Sequence, residues 1–233
     1  MTYPVDLAKP HRSINVGVVL MKGETELQDI APVDMLHGLS RHFISTFPDE
    51  LGPPGFKDGA IDLKFLWITE AGEASPADLT AGLRILPTHS FETSPPLDIV
   101  IIGAHRFGYV PSEAELAFAR KSFDECAAFI AVCGGVEIPR LAGLLEGKTA
   151  TAPRPLLDVW RAQSPGTNWV EKRWERDGKL WTSGALFNGT DLVHNFVKQT
   201  WGGTPAGALG TYAAKVGAWP DRDVDYKDVP WKV

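Results

Sequence analysis

A chain of 233 residues with 23 Lys and Arg against 29 Asp and Glu carries a formal net charge of −6. With no Lys/Arg block in it, that balance argues against nucleic acid or an anionic membrane as the main partner. Its 44% hydrophobic and 22% charged residues match an ordinary globular protein large enough to bury a core without staples. Two cysteines point away from a disulfide framework and towards a reducing, cytoplasmic setting. No apolar run approaches the ~18 residues of a membrane span, and Met1 to Ser13 has no apolar stretch of the kind a secretory signal needs.

Ile14 to Met21 (INVGVVLM) is a near-continuous apolar run, as expected for a strand buried on both faces of a parallel sheet. A polar loop, Lys22 to Gln28, follows. Pro32 then opens an amphipathic helical pattern with Val33, Leu36, Leu39 and Phe43 on one face. Glu24 to Ala31 therefore belongs at the carboxyl end of the first strand, the edge where open α/β sheets bind ligands. Ser45 to Asp62, rich in Pro, Gly and charge, reads as a surface excursion. Leu63 to Thr69 is a second strand. Gly82 to Leu86 and Pro87 to Pro96 suggest a short antiparallel excursion before a third buried strand, Leu97 to Ile102, which ends in Gly103-Ala104-His105.

Ser112 and Glu115 have the spacing of a capping box, so a helix is predicted from there to Glu125. A further apolar run, Ala127 to Val132, completes a βαβ unit whose right-handed crossover brings the Gly103 loop and Cys133 to one sheet edge. The helix after Cys133 is predicted to end near Glu146, with Gly147 as its cap. Thr149 to Thr151 reads as a short strand, Pro153 to Arg161 as a short helix, and Asn168 to Arg176 with Lys179 to Ser183 as a strand pair turned at Asp177-Gly178. Asp191 to Trp201 is the last predicted helix. The tail, Gly202 to Val233, is expected to be ordered only in part, by packing on the body or on another subunit. One domain is expected over 1–233, with its core at about 14–201 and the tail as a C-terminal extension.

The stretch around Ala131-Val132-Cys133-Gly134-Gly135 carries the chemistry. A buried strand that stops at a nucleophile and turns sharply into a helix needs tiny residues beside the turn, and Ala131 and Gly135 meet that rule. The helix start is expected to lower the thiol pKa of Cys133. Cys126 has no such context and reads as packing or a surface thiol. Glu137 is read as a helix-surface or dimer contact and Asp191 and His194 as structural. Trp169, Trp174 and Trp181 are candidates to line an apolar pocket. No Cys/His cluster has metal-ligand spacing and no nucleotide-binding glycine motif follows a strand, so neither metal nor cofactor is expected.

The first strand, Asp29-Ile-Ala-Pro32, the strand into Gly103, the run AVCGGVEIPRLAGLLEGKTAT (Ala131 to Thr151) and the run TSGALFNGTDL (Thr182 to Leu192) together resemble the ThiJ/PfpI superfamily. The resemblance covers roughly Ile14 to Trp201. It implies a class I glutamine amidotransferase-like, flavodoxin-like α/β fold, a three-layer sandwich with a mostly parallel sheet and a cysteine nucleophile elbow. It also implies a homodimer. Carried over by position, Cys133 is the nucleophile, and the family carboxylate falls on Asp29 or on Gln28, depending on whether a one-residue gap is placed before Pro32. Asp29 is preferred, because only a carboxylic acid both donates a hydrogen bond to a thiolate and delivers a proton. The implied oxyanion-hole amides fall on Gly134 and on Gly103 or Ala104. Two departures stand out: Pro153 occupies the place where many relatives have a histidine, and Gly103-Ala104-His105 replaces a Pro-Gly-Gly loop. His105 is then a candidate to compensate from the other loop.

These parts point to a cofactor-independent, cysteine-dependent hydratase or lyase acting on a small electrophilic molecule, like the isocyanide hydratases of that superfamily, with Asp29 as acid and base. The alternatives are a glutathione-independent glyoxalase reaction on α-ketoaldehydes, which the missing histidine disfavours, and oxidation sensing at Cys133 without turnover. A non-catalytic binding scaffold is a third.

Overall fold

The computed structural model describes residues 4–230. Positions 1–3 and 231–233, part of the leader and tail read above, lie outside the described residues. The strands are β1 (Ile14–Val19), β2 (Leu63–Thr69), β3 (Ala77–Asp78), β4 (Arg84–Ile85), β5 (His89–Ser90), β6 (Ile99–Ile102), β7 (Ala128–Val132), β8 (Thr149–Ala150), β9 (Asn168–Trp169), β10 (Trp174–Asp177) and β11 (Leu180–Ser183). The helices are α1 (Leu27–Ile30), α2 (Val33–His37), α3 (Arg41–Ile44), α4 (Glu113–Glu125), α5 (Glu137–Leu141), α6 (Leu157–Gln163), α7 (Asn188–Trp201) and α8 (Pro205–Val216). Seven strands form one sheet in the order β10-β11-β7-β6-β1-β2-β5, parallel except at the β10–β11 edge.

Strands β6 and β7 are apolar along their whole length because both faces are covered. Alternate residues divide them between two cores: Ile99, Ile101, Ile130 and Val132 pack with Trp181, Phe196 and Trp201 on the α7 side. Val100, Ile102, Phe129 and Ala131 pack with Phe118, Ile138 and Leu157 on the side of α4, α5 and α6. The result is the flavodoxin-like, three-layer α/β sandwich implied by the resemblance. A Cβ at Gly17 would stand 2.5 Å from Leu97 Cδ1, so a side chain there would displace the buried Leu97 side chain. No helix among the described residues is long and apolar enough to cross a membrane.

Several local expectations are revised. The pattern opened by Pro32 is two short helices, α2 and α3, because the chain turns extended at Ser40, whose hydroxyl then caps the Phe43 amide. The elbow helix ends at Leu141, with Gly143 rather than Gly147 as the first residue past it at positive φ. The described part of the tail, 202–230, packs on the body: Thr204 caps α8 and Pro205 opens it, Leu209 joins the core, and Arg222 pairs with the buried Asp191. Trp169 and Trp181 are core residues, with Trp174 stacked on Trp181. Cys126 is fully buried packing.

Candidate active site

The elbow forms as the residue types require. Cys133 follows β7 with φ of +58°, a left-handed conformation that a side-chain-bearing residue holds only when its surroundings fix it. A Cβ on Gly135 would stand 2.5 Å from the Ile102 carbonyl oxygen and 2.8 Å from the Gly103 carbonyl carbon. Glycine is therefore demanded there by backbone on the neighbouring strand. The register Ser183↔Val132 and Ile102↔Ala131 sets the loops after β11 and β6 on either side of the cysteine.

The loop after β1 reaches the same place by pairing. Glu26 N donates to the Ala104 carbonyl at 2.8 Å, Arg106 N to the Glu24 carbonyl at 2.9 Å, and Thr25 bridges antiparallel to His105. Glu115, half of the predicted capping box, also ties these loops together. Its carboxylate accepts from the Lys22 amide at 2.7 Å and from the Tyr109 hydroxyl. Asp29 is thereby sunk completely, its Oδ2 accepting from the Ala104 amide at 2.9 Å, while its Oδ1 has no hydrogen-bond partner. The ligand atoms of Glu26, Asp29 and Cys133 all lie within 4.8 Å of one another. Of the two positions left open by the sequence, Asp29 is the one that is fully buried with a carboxylate oxygen within 4.8 Å of the sulfur.

The electrostatics follow from two carboxylates and a thiol in a dry place. Burial raises the Asp29 pKa to about 7, against the pull of the Ala104 amide and with help from the charge of Glu26. Burial and then the Asp29 charge push the Cys133 thiol up to about 12, although the Leu186 and Gly134 amides donate towards the sulfur and favour the thiolate. The expected lowering of the thiol is therefore corrected. Cys133 opens a 3-10 turn (Cys133–Val136) followed by the five-residue α5, too little aligned backbone to outweigh desolvation and two carboxylates.

Other assignments change as well. The Ala104 amide holds Asp29 and is not an open oxyanion donor. Gly103 also contributes room: a Cβ there would stand 2.9 Å from Asp29 Cβ. Gly134 keeps its amide towards the sulfur, and its companion is Leu186, which the sequence did not single out. Leu186 sits at φ of +45°, an outlier invisible in a residue string. His105 stands edge-on to Tyr109 with both ring nitrogens buried and unpartnered, and burial lowers its pKa. The carboxylates it feels are Glu137 and Glu115, whereas those bearing on Cys133 are Asp29 and Glu26. Glu137 itself pairs with Arg140 at 3.3 Å.

Glu26 was also missed; in the sequence it is one of several loop carboxylates, and only the pairing with the 104–106 loop turns it inward. Among the described residues, the acid and thiol atoms of Glu26, Asp29 and Cys133 converge within 4.8 Å of one another, a trio that no local spacing announces. An apolar groove of about 540 Å³ between α2, α3 and α8, lined by Met35, Phe43, Phe56, Tyr212 and Trp219 among others, includes neither Cys133 nor Asp29. Cys133 is 9% exposed, so what reaches the sulfur must be slender.

Comparison with known proteins agrees with this architecture. An isonitrile hydratase from Pseudomonas putida is 31% identical over 126 residues, 53% of this chain and 54% of that protein. The chain thus matches about half the length of that relative. Among solved structures, a ThiJ/PfpI family protein from Pseudomonas syringae superposes with a TM-score of 0.67 at 20% identity, covering 93% of this chain and 79% of that one. DJ-1beta from Drosophila melanogaster gives 0.66 at 16% identity over 90% of this chain and all (100%) of the other. An AraC family transcriptional regulator from Pseudomonas putida gives 0.65 at 13% identity over 87% and 98%, so the fold alone names no reaction. The match to the family itself runs over residues 56–199, taking in Cys133 and Leu186 and leaving Glu26 and Asp29 outside it. With more than half its length matched and its sheet order and cysteine elbow in place, this chain belongs to the DJ-1/PfpI family.

Proposed function

We propose that the protein hydrates an isonitrile to the corresponding N-substituted formamide, with Cys133 as nucleophile and Asp29 as the proton carrier. The observation that carries this reading is the buried acid beside the sulfur: a carboxyl group with pKa about 7 gives and takes protons near neutral pH with little driving-force penalty. A thiol held up to about 12 needs such a partner to become nucleophilic at the moment of attack.

The steps balance without an added reagent. Asp29 takes the Cys133 proton as sulfur bonds to the terminal isonitrile carbon, and returns it to that same carbon, giving a thioimidate. Water then adds to the carbon–nitrogen double bond, with a proton passing through Asp29 to the nitrogen. The carbon–sulfur bond breaks, releasing the formamide and restoring the thiol. The Gly134 amide, aimed at the sulfur, steadies charge as it shifts between sulfur and substrate. An isonitrile ends in a linear, one-coordinate carbon, which suits a cysteine that is only 9% exposed; an α-ketoaldehyde presents a broader carbonyl and calls for the histidine that Pro153 replaces. Oxidation sensing favours a low-pKa thiol, opposite to the direction here.

The test is turnover of an aryl isonitrile followed by formamide detection by mass spectrometry, with methylglyoxal assayed alongside. The expected result is formamide from the wild type and a loss of at least about 1,000-fold in Cys133→Ala and Asp29→Asn. Lactate from methylglyoxal with no formamide, or equal formamide from both variants and wild type, would overturn the reading.

A further inference from the structure

The residues past α8 turn back as a strap and lie against the loop that follows β11. Arg222 pairs with the buried Asp191, its amide reaching Oδ1 at 2.9 Å and its Nε reaching Oδ2 at 3.1 Å. The Arg173 amide donates to the Val224 carbonyl at 2.8 Å, and the buried Arg173 guanidinium holds Asp228 at 3.0 Å and the Asp223 carbonyl at 3.0 Å. Between these anchors Tyr226 sits at φ of +58° with its ring faced by two guanidinium groups, Arg173 at 4.8 Å and Arg154 at 5.0 Å. Its hydroxyl accepts from Asn188 Nδ2 at 3.0 Å and lies 2.7 Å from where a Cβ on Gly184 would stand.

Gly184 and Asn188 bound the turn that contains Leu186. That turn leaves the sheet beside the elbow, since Ser183 is in register with Val132. Leu186 is held at positive φ within it, a conformation that persists only where neighbouring contacts over-determine it. The contacts at both ends of the turn are made by one side chain from the tail, some forty residues on in sequence, outside the stretch that matches the family.

We propose that Tyr226 is a positioning residue for the nucleophile: its hydroxyl seats the 184–188 turn and so aims the Leu186 amide at Cys133 Sγ. Tyr226 touches neither the sulfur nor a substrate bound to it. The charged groups that bear on the sulfur remain Asp29 and Glu26, and those around the Tyr226 ring are Arg173, Arg154, Glu171 and Arg222. The role concerns ionisation of the sulfur, so it holds for any electrophile the site accepts and is tested without an isonitrile.

The experiment follows iodoacetamide labelling of Cys133 in the full-length protein by peptide mass, from pH 7 to pH 10, together with thermal melting. The proteins are the wild type, Tyr226→Phe, Asn188→Ala, their double mutant, and Lys198→Ala, which cuts the ion pair to Asp221 away from the turn. Losing one amide donor disfavours the thiolate, so each single variant is expected to label about three- to tenfold more slowly at pH 8, with its profile displaced to higher pH. The double mutant is expected to be no slower than Asn188→Ala, because both substitutions remove the Tyr226–Asn188 contact and Asn188→Ala alone also removes the Arg222 bond to Asn188 Oδ1 at 3.3 Å. Lys198→Ala is expected to match the wild type. Should Tyr226→Phe label within twofold of wild type, or faster, with melting unchanged, the proposal is overturned. Effects that multiply in the double mutant would overturn it equally, and Asn188→Ala decides the matter alone if Tyr226→Phe is recovered poorly.

Discussion

Replacing Asp29 by asparagine is expected to stabilise the protein while removing its chemistry. The Asp29 carboxyl is fully buried, one oxygen is satisfied by the Ala104 amide and the other has no partner. Its pKa moves from the ordinary 3.8 to about 7 on folding. Each pH unit of that gap corresponds to about 1.36 kcal/mol, so ionised Asp29 weakens the fold by roughly 4 kcal/mol. The sign follows from proton linkage: the native state holds the Asp29 proton more tightly, so the contribution of Asp29 to stability falls as pH rises between about 4 and 7. Asparagine keeps the acceptor for Ala104, offers an N–H donor towards the Glu26 carboxylate, and carries no charge to bury. Urea unfolding of both proteins from pH 3 to pH 8 should therefore show no difference at the acid end and an advantage for Asp29→Asn of roughly 4 kcal/mol at pH 8. A difference that does not change with pH, or a variant weaker than wild type at pH 8, would refute the account of Asp29 as a strained, proton-carrying acid. Stability held back at a reactive site is the usual sign of function shaping it.

Glu26→Gln removes a charge that raises the pKa of both Asp29 and Cys133. The iodoacetamide profile of Cys133 should move to lower pH, with labelling at pH 8 about threefold faster or more; a slower rate would mean that Glu26 does not act through its charge. Gly135→Ala places a methyl group 2.5 Å from the Ile102 carbonyl oxygen and 2.9 Å from that of Gly103. Neither backbone atom can swing aside, so a loss of about 3 kcal/mol is expected in urea unfolding, and a loss below about 1 kcal/mol would show the elbow to be looser than its geometry.

Local pattern carried much of this protein. The apolar runs that became β1, β2, β6 and β7, the Ser112–Glu115 capping box, the Asp177-Gly178 turn and the small residues around Cys133 are each written within a few neighbouring positions. The tail was harder to read. Its α8 contains Gly207 and Gly210, poor helix formers, and is held by Leu209 in the core and by close packing of Gly210 on Val197. The break between α2 and α3 likewise comes from tertiary pairing, since Ser40 turns extended and bridges to Ile61 while the apolar spacing continues through it.

The sequence by itself determined which residues form the sheet and where its nucleophile stands, because burial on two faces and a tight turn beside a reactive side chain restrict composition locally. Only the tertiary structure decided what surrounds the sulfur. Asp29 rather than Gln28, Glu26, the Ala104 amide turned to the carboxylate, the Leu186 amide and Tyr226 all come from separate loops. The raised thiol pKa has the same origin, since desolvation and charge depend on distance through space, which the order of residues along the chain does not record.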